Sequence, residues 1–224
     1  MSEAICPSVG RGVLHLFCKP TPLFDGDALV SAVKESQAAG VQVVTVSVLG
    51  HKADVAVMAM HDDLKQLRAL QTGVQHAGLE VVDSYVSLTE VSEYAKGMPE
   101  EHLKGRLYPD IPPKSGDMKA WCFYPMSKKR EGADNWFTLP FDDRNELMRE
   151  HGTSGRKYAG RVVQYVTGSA GLDDYEWGVT LFGVHPDDLK EVVYTMRFDE
   201  ASAVYGEFGA FYVGMVTPVE ELLA

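Results

Sequence analysis

Apolar and polar positions along the chain follow two rhythms, and these recur in the same order in both halves. Residues 12–19 open with a β-like run carrying Val13, Leu14, Leu16 and Phe17. A helical pattern follows, with Asp25 or Asp27 as N-cap and Gly40 as its stop. Val alternates with Gln, Thr and Ser over 41–49, the period-two signature of a strand. Residues 54–60 make a second strand across a turn at Gly50. Residues 62–77 place Leu64, Leu67 and Leu70 on one helical face, with Gly78 after it, and 79–88 close the half as a strand. The order is β-α-β-β-α-β.

A polar stretch rich in Pro and Gly, 97–117, interrupts the pattern and reads as a linker. The same order then returns. Residues 118–125 form a strand, and 140–151 a helix entered at Asp142 or Asp143 and stopped by Gly152. Residues 161–168 and 175–182 form a strand pair, 186–205 a long helix with a break near Phe198, and 210–216 a last strand. Each unit has the pattern of a ferredoxin-like module, an antiparallel four-stranded sheet with both helices on one face. The chain thus divides into an N-terminal repeat (1–96), a linker (97–117) and a C-terminal repeat (118–224). The two units could stand as independent domains or join their sheets into one barrel, which would also hide edge strands.

Composition narrows the function classes. Hydrophobic residues at 45% and charged residues at 24% are those of an ordinary globular protein. A net charge of −11, from 21 basic and 32 acidic residues, excludes a broad nucleic-acid-binding face but not a local basic pocket. No charge-free run of about 18 apolar residues suggests a membrane span. The opening MSEAICPSVGRG has no signal-peptide pattern. Cys6, Cys18 and Cys122 show no CxxC spacing and are expected to be free thiols in a reducing cytoplasm.

Chemistry concentrates in the second half, which holds Trp121, Trp136 and Trp177, a basic run at 128–130, and one histidine on a helix, His151. Aromatics, a histidine and basic groups suit a large, flat, anionic, redox-active ligand. His151 could offer a ring nitrogen to iron or simply complement a helix C-terminus. Tyr124 could be a redox-active phenol or a packed strand residue. Lys129 and Arg130 read as a solvated loop, and Asp173 and Asp174 as a turn. Gln164 could face a ligand or satisfy a neighbouring backbone group. The other six histidines, at 15, 51, 61, 76, 102 and 185, show no paired metal spacing and are expected on the surface or in turns.

Taken together, several segments resemble the chlorite dismutase-like superfamily, and within it the coproheme decarboxylase branch of the Gram-positive type. They are Tyr124-Pro125-Met126-Ser127-Lys128-Lys129-Arg130, Asn135-Trp136, His151-Gly152 and Gly155-Arg156-Lys157-Tyr158-Ala159-Gly160, supported by the runs at 173–182 and 196–202. The resemblance is specific from about residue 106 to 214; the first half agrees mainly in element order. It implies an α+β fold, two ferredoxin-like repeats forming a dimeric α+β barrel within one chain, heme in the C-terminal repeat only, and a homopentamer. It implies Fe-coproporphyrin III (coproheme) as both substrate and redox centre, hydrogen peroxide as oxidant and heme b as product. By the same resemblance His151 is the proximal iron ligand, Tyr124 forms the radical that attacks a propionate, and Lys128 serves the second propionate. Arg106, Met126, Ser202 and Trp136 belong to the porphyrin-binding set. Gln164 takes the distal position, where chlorite dismutases carry an arginine; a neutral amide cannot supply that charge. Neither nucleic acid nor membrane is an expected partner.

Overall fold

In strand β1 (Gly12–Pro20) both faces are buried, because it lies at the middle of its sheet with an apolar layer on each side. Leu14, Leu16 and Cys18 face two helices; Val13, His15 and Phe17 face the other way. In the computed structural model, which describes residues 3–95, 97–114, 117–132 and 134–223, β1 is flanked by β3 (Val55–His61) and β4 (Leu79–Thr89). β2 (Gln42–Leu49) completes the order β4-β1-β3-β2. Helices α1 (Gly26–Ala38) and α2 (Leu64–His76) begin where Asp25 and Asp63 accept hydrogen bonds from Ala28 N and Lys65 N. Their Leu29, Val33, Leu67, Leu70 and Val74 fill the layer over the sheet.

Helix α3 (Glu100–Leu107) lies within the stretch expected to be a linker. Its 100–104 ion pair and acidic first turn support a short polar helix with no buried residue, which apolar periodicity could not reveal. The second unit comprises β5 (Ala120–Lys128), α4 (Phe141–Arg156), β6 (Val162–Gly168), β7 (Trp177–Gly183), α5 (Pro186–Met196), α6 (Glu200–Ala203), β8 (Gly206–Phe208) and β9 (Tyr212–Val216). Its sheet order is β6-β7-β5-β9, with the short β8 beside the end of β5. The helix expected over 186–205 with a break near Phe198 is two helices, interrupted at 197–199 where the break was expected.

Two ladders join the sheets. β2 pairs with β9 from Val46↔Val216 to Leu49↔Val213, and β4 pairs with β6 at only Leu88↔Gly168 and Thr89↔Thr167. With β5 also paired to β7, eight antiparallel strands close into a barrel. Its interior is apolar and aromatic: Val13, Phe17, Met58, Trp121, Phe123 and Phe182 belong to one buried cluster. The joined form anticipated from the repeated pattern is therefore the observed one.

His15 departs from expectation. It is a buried residue inside the barrel, its ring 4.3 Å from that of Phe123 and its Nε2 2.9 Å from Thr180 Oγ1. Strand alternation between Val13 and Phe17 puts it there. Burial pushes its pKa down to about 3 from 6.5. Because the folded value is lower, protonation favours the unfolded chain. Its contribution to stability is intact above about pH 6.5 and declines as the pH falls toward 3. Denaturant midpoints measured from pH 7 to 4 are expected to fall less steeply for His15→Gln than for the wild type. Phe123→Ala, which empties the centre of the barrel, is expected to cost about 3–5 kcal/mol in the same assay.

Candidate functional site

Helix α4 differs from its counterpart α1 in one respect that creates the site. Where α1 buries Leu29 and Val33 against its sheet, none of the described residues of α4 is buried. The polar sequence between Phe141 and Arg156 gives it no apolar stripe wide enough to lie down. Beneath it opens a cavity of about 1460 Å³, walled by α4, by the outer faces of β6 and β7, by the end of β5, and by the segment from Thr89 to Lys114. That volume exceeds the usual small-molecule range of about 300–1,000 Å³.

His151 projects from α4 onto the cavity wall. The helix does not stop at Gly152 but runs to Arg156, so His151 stands in its interior and not at its end. Gly152 and Gly155 also line the cavity, and Gly155 follows His151 by one turn. A Cβ at Gly155 would meet only Met196 Cε, at 3.8 Å. The glycines therefore bare the helix backbone beside the histidine, a use of glycine for close approach. Asp142 and Asp143 sit in the first turn, where they complement the helix dipole; the N-cap position itself is Pro140.

The orientation of His151 is fixed from behind. Its Nδ1 lies 3.0 and 3.2 Å from the two Asp199 carboxylate oxygens and 3.3 Å from Ser202 Oγ. Asp199 is itself buried, caps α6 and accepts from Ser202 N. Burial acts to raise the Asp199 carboxyl, but the hydrogen bond from His151, its charge whenever the ring is protonated, and the bonds from Ser202 hold it below its ordinary value. The carboxylate draws the ring proton to Nδ1 and leaves Nε2, which has no partner among the described residues, as a free lone pair.

On β5 the even-numbered residues share one face. Met126 and Lys128 line the cavity. Lys128 is buried, donates to the Ala201 carbonyl, and lies 4.6 Å over the Trp136 ring. Burial pushes its pKa down to about 8, against the opposing charge of Asp199. Trp136 is buried on Tyr205, and its loop is pinned by Asn135 and by Trp136 N donating to Lys129 O. Arg130 lies in an exposed loop, as expected, and from there ion-pairs with the buried Glu176.

Tyr124 is not on the cavity wall. It is buried on the same strand face, stacked 4.4 Å from Phe211, between wall residues Met126 and its cross-strand partner Val179. Burial raises its hydroxyl above the usual phenol range. Gln164 lines the wall from β6 and Arg106 from α3. The cavity thus brings together Arg106, Met126, Lys128, Trp136, His151 and Gln164, with Tyr124 buried next to Met126 on the same sheet face and Ser202 behind the histidine. Sequence reasoning did not find Asp199, 48 positions from His151, or Arg144, which lines the cavity and bonds Glu93 at 3.1 Å. Asp199 caps α6 locally, but its contact with His151 is purely tertiary.

Residues 25–217 match the family described as chlorite dismutase. This chain belongs to that family. Among curated relatives, the coproheme decarboxylase of Staphylococcus carnosus (strain TM300) is 43% identical over 188 residues, 79% of this chain and 73% of that protein. A solved heme-binding protein from Thermus thermophilus superposes with a TM-score of 0.83 at 36% identity, covering 98% of both chains. The chlorite dismutase of Candidatus Nitrospira defluvii in complex with imidazole superposes at 0.77 with 18% identity, over 97% of this chain and 95% of that one, and shares the fold. The chlorite dismutase family fold is thus the mixed α+β architecture seen here, with its large antiparallel sheet.

The His151 geometry has a direct readout. Nitrogen-15 NMR of the ligand-free protein is expected to show neutral His151 protonated at Nδ1. Asp199→Ala should return the ring to a tautomer mixture, and an unchanged spectrum would remove Asp199 from this role.

Proposed function

We propose that the cavity holds an iron porphyrin with His151 Nε2 on the iron, and that the chain is a coproheme decarboxylase acting in heme biosynthesis. The observation that carries this reading is the free Nε2, backed by Asp199, over a cavity large enough for a macrocycle. The fit is also chemical: bare helix backbone at Gly152 and Gly155 admits a flat face, and Arg106 and Lys128 offer cations to carboxylate arms. The 43% identity to a coproheme decarboxylase supports the choice of Fe-coproporphyrin III, with heme b as product. On this reading each propionate reacts as R–CH2CH2–COO⁻ + H2O2 + H⁺ → R–CH=CH2 + CO2 + 2 H2O, twice, through a three-propionate intermediate.

Bound iron would draw the oxidising power from peroxide; the protein supplies position and protons. Tyr124, protonated at rest because burial raises its pKa, gives up its phenolic hydrogen and then takes one from a propionate. Lys128, charged below about pH 8, orients a second propionate, with Trp136 holding the ammonium in place. Met126 and Arg106 contact the arms, and Ser202 steadies His151 from behind. Gln164 faces the ligand from the sheet as a neutral amide. The N-terminal repeat, whose helices fill their own layer, leaves no second porphyrin cavity beneath them among the described residues. The resemblance further implies a cytoplasmic homopentamer; among the described residues no helix is long and apolar enough to cross a membrane.

Adding Fe-coproporphyrin III to the purified protein and titrating peroxide should produce two successive mass losses, each of carbon dioxide plus two hydrogens. Tyr124→Phe should bind coproheme as the wild type does and stall before the first loss; heme b from that variant would sink the radical assignment. Removing the Asp199 carboxylate should weaken binding about 10–100-fold. Binding without mass loss would instead mark a heme carrier.

A further inference from the structure

One carboxylate on the cavity wall has no place in the chemistry above. Glu90 follows β4 directly, and its Oε1 accepts from Trp177 Nε1 at 3.2 Å. Its carboxyl lies over Gly168, the last residue of β6, where any Cβ would overlap it. The side chain is open to the cavity, yet desolvation around the carboxyl raises it above its ordinary value, with the Trp177 hydrogen bond opposing. A glycine that makes room and an indole that donates give the carboxyl a built position.

Register says what it faces. Gly168 pairs with Trp177, and Trp177 with Met126, so Glu90 stands on the Met126 rung of the sheet. Gln164 lies four residues back along β6, about 13 Å away at strand spacing. A group that far from the amide facing the macrocycle meets its periphery, where the carboxylate arms are, and not its centre.

We propose that Glu90, cradled over Gly168 and held by Trp177, is a carboxylic-acid subsite: protonated, it donates a hydrogen bond to one carboxylate arm of the bound porphyrin, and the two carboxyls share that proton. The inference rests on the porphyrin reading. Two carboxyls in contact cannot both ionise cheaply, so ligand binding takes up a proton there. The surrounding charges do not replace it. Glu93, on the turn after β4, is engaged by Arg144 of α4, and Asp110 by Lys114. Arg106 of α3, Arg149, His151 and Arg156 of α4, and Lys128 of β5 also line the wall, and none forms an ion pair with Glu90 among the described residues. Tyr94 is a neutral phenol there, its hydroxyl raised chiefly by burial.

The test compares wild type with Glu90→Gln, whose amide N–H stands in for the carboxylic O–H as a donor and cannot ionise. Binding of metal-free coproporphyrin III is titrated from pH 5 to 8. The ratio of Glu90→Gln to wild-type affinity is expected to rise from about one to about ten, the tenfold being one pKa unit of coupling. In ligand-free protein, the Trp177 contribution to emission, isolated with Trp177→Phe, should titrate above the ordinary glutamate value of ~4.3 and lose that step in Glu90→Gln. A ratio flat across the pH range, or no such emission step, overturns the subsite while leaving the porphyrin reading intact. No binding by either protein at any pH overturns the porphyrin reading and the subsite with it.

Discussion

The aromatic packing inside the barrel, where Phe123 lies against His15, Phe17, Tyr85 and Trp121, holds two four-stranded sheets face to face. Neither sheet could expose that surface to water alone; burying each large side chain is worth about 1.5–3 kcal/mol. The connecting ladders are too short to hold the sheets by themselves. Two residue pairs between β4 and β6, and four between β2 and β9, add few hydrogen bonds beside the shared core. The ladders instead set how the two sheets meet.

That meeting places the site. Because β4 pairs with β6 only at Leu88 and Thr89, the chain leaves the sheet at Glu90 and wraps outward through Glu93, Tyr94 and α3 to wall the cavity, with Glu93 and Tyr94 against α4. The N-terminal repeat thus contributes a wall to a site whose histidine, lysine and tyrosine all come from the C-terminal repeat. Behind the wall, Lys128, Trp136 and Tyr205 form a small cluster that connects β5 to the α6 region carrying Asp199.

Periodicity made the strand and helix order legible, because each sheet has one core-facing side and each of α1, α2 and α5 a clear apolar stripe. It failed where burial does not govern. Helix α3 is polar all round. Gly152 read as a stop, although a glycine inside a helix costs only about 1 kcal/mol and bare backbone is useful facing a ligand. His15 read as surface because a lone histidine carries no pattern, yet Val13 and Phe17 on either side fixed its direction. Ordered motifs located His151, Lys128, Trp136 and Gln164. Asp199, Arg144 and Glu90 depend on contacts across 48 to 87 positions, for which local sequence holds no signal.

Helix α4 is an element whose core is missing. Its counterpart α1 is anchored by the buried Leu29 and Val33, whereas α4 buries no residue fully and is held by the partly buried Leu147 and Met148, by the Arg144–Glu93 pair and by His151 against Asp199. A flat apolar ligand beneath it would supply the buried layer that its own sequence withholds. The amides of α4 would then exchange with solvent far more slowly in the loaded protein than in the empty one, and each release of product would return that helix to a shallower free-energy well.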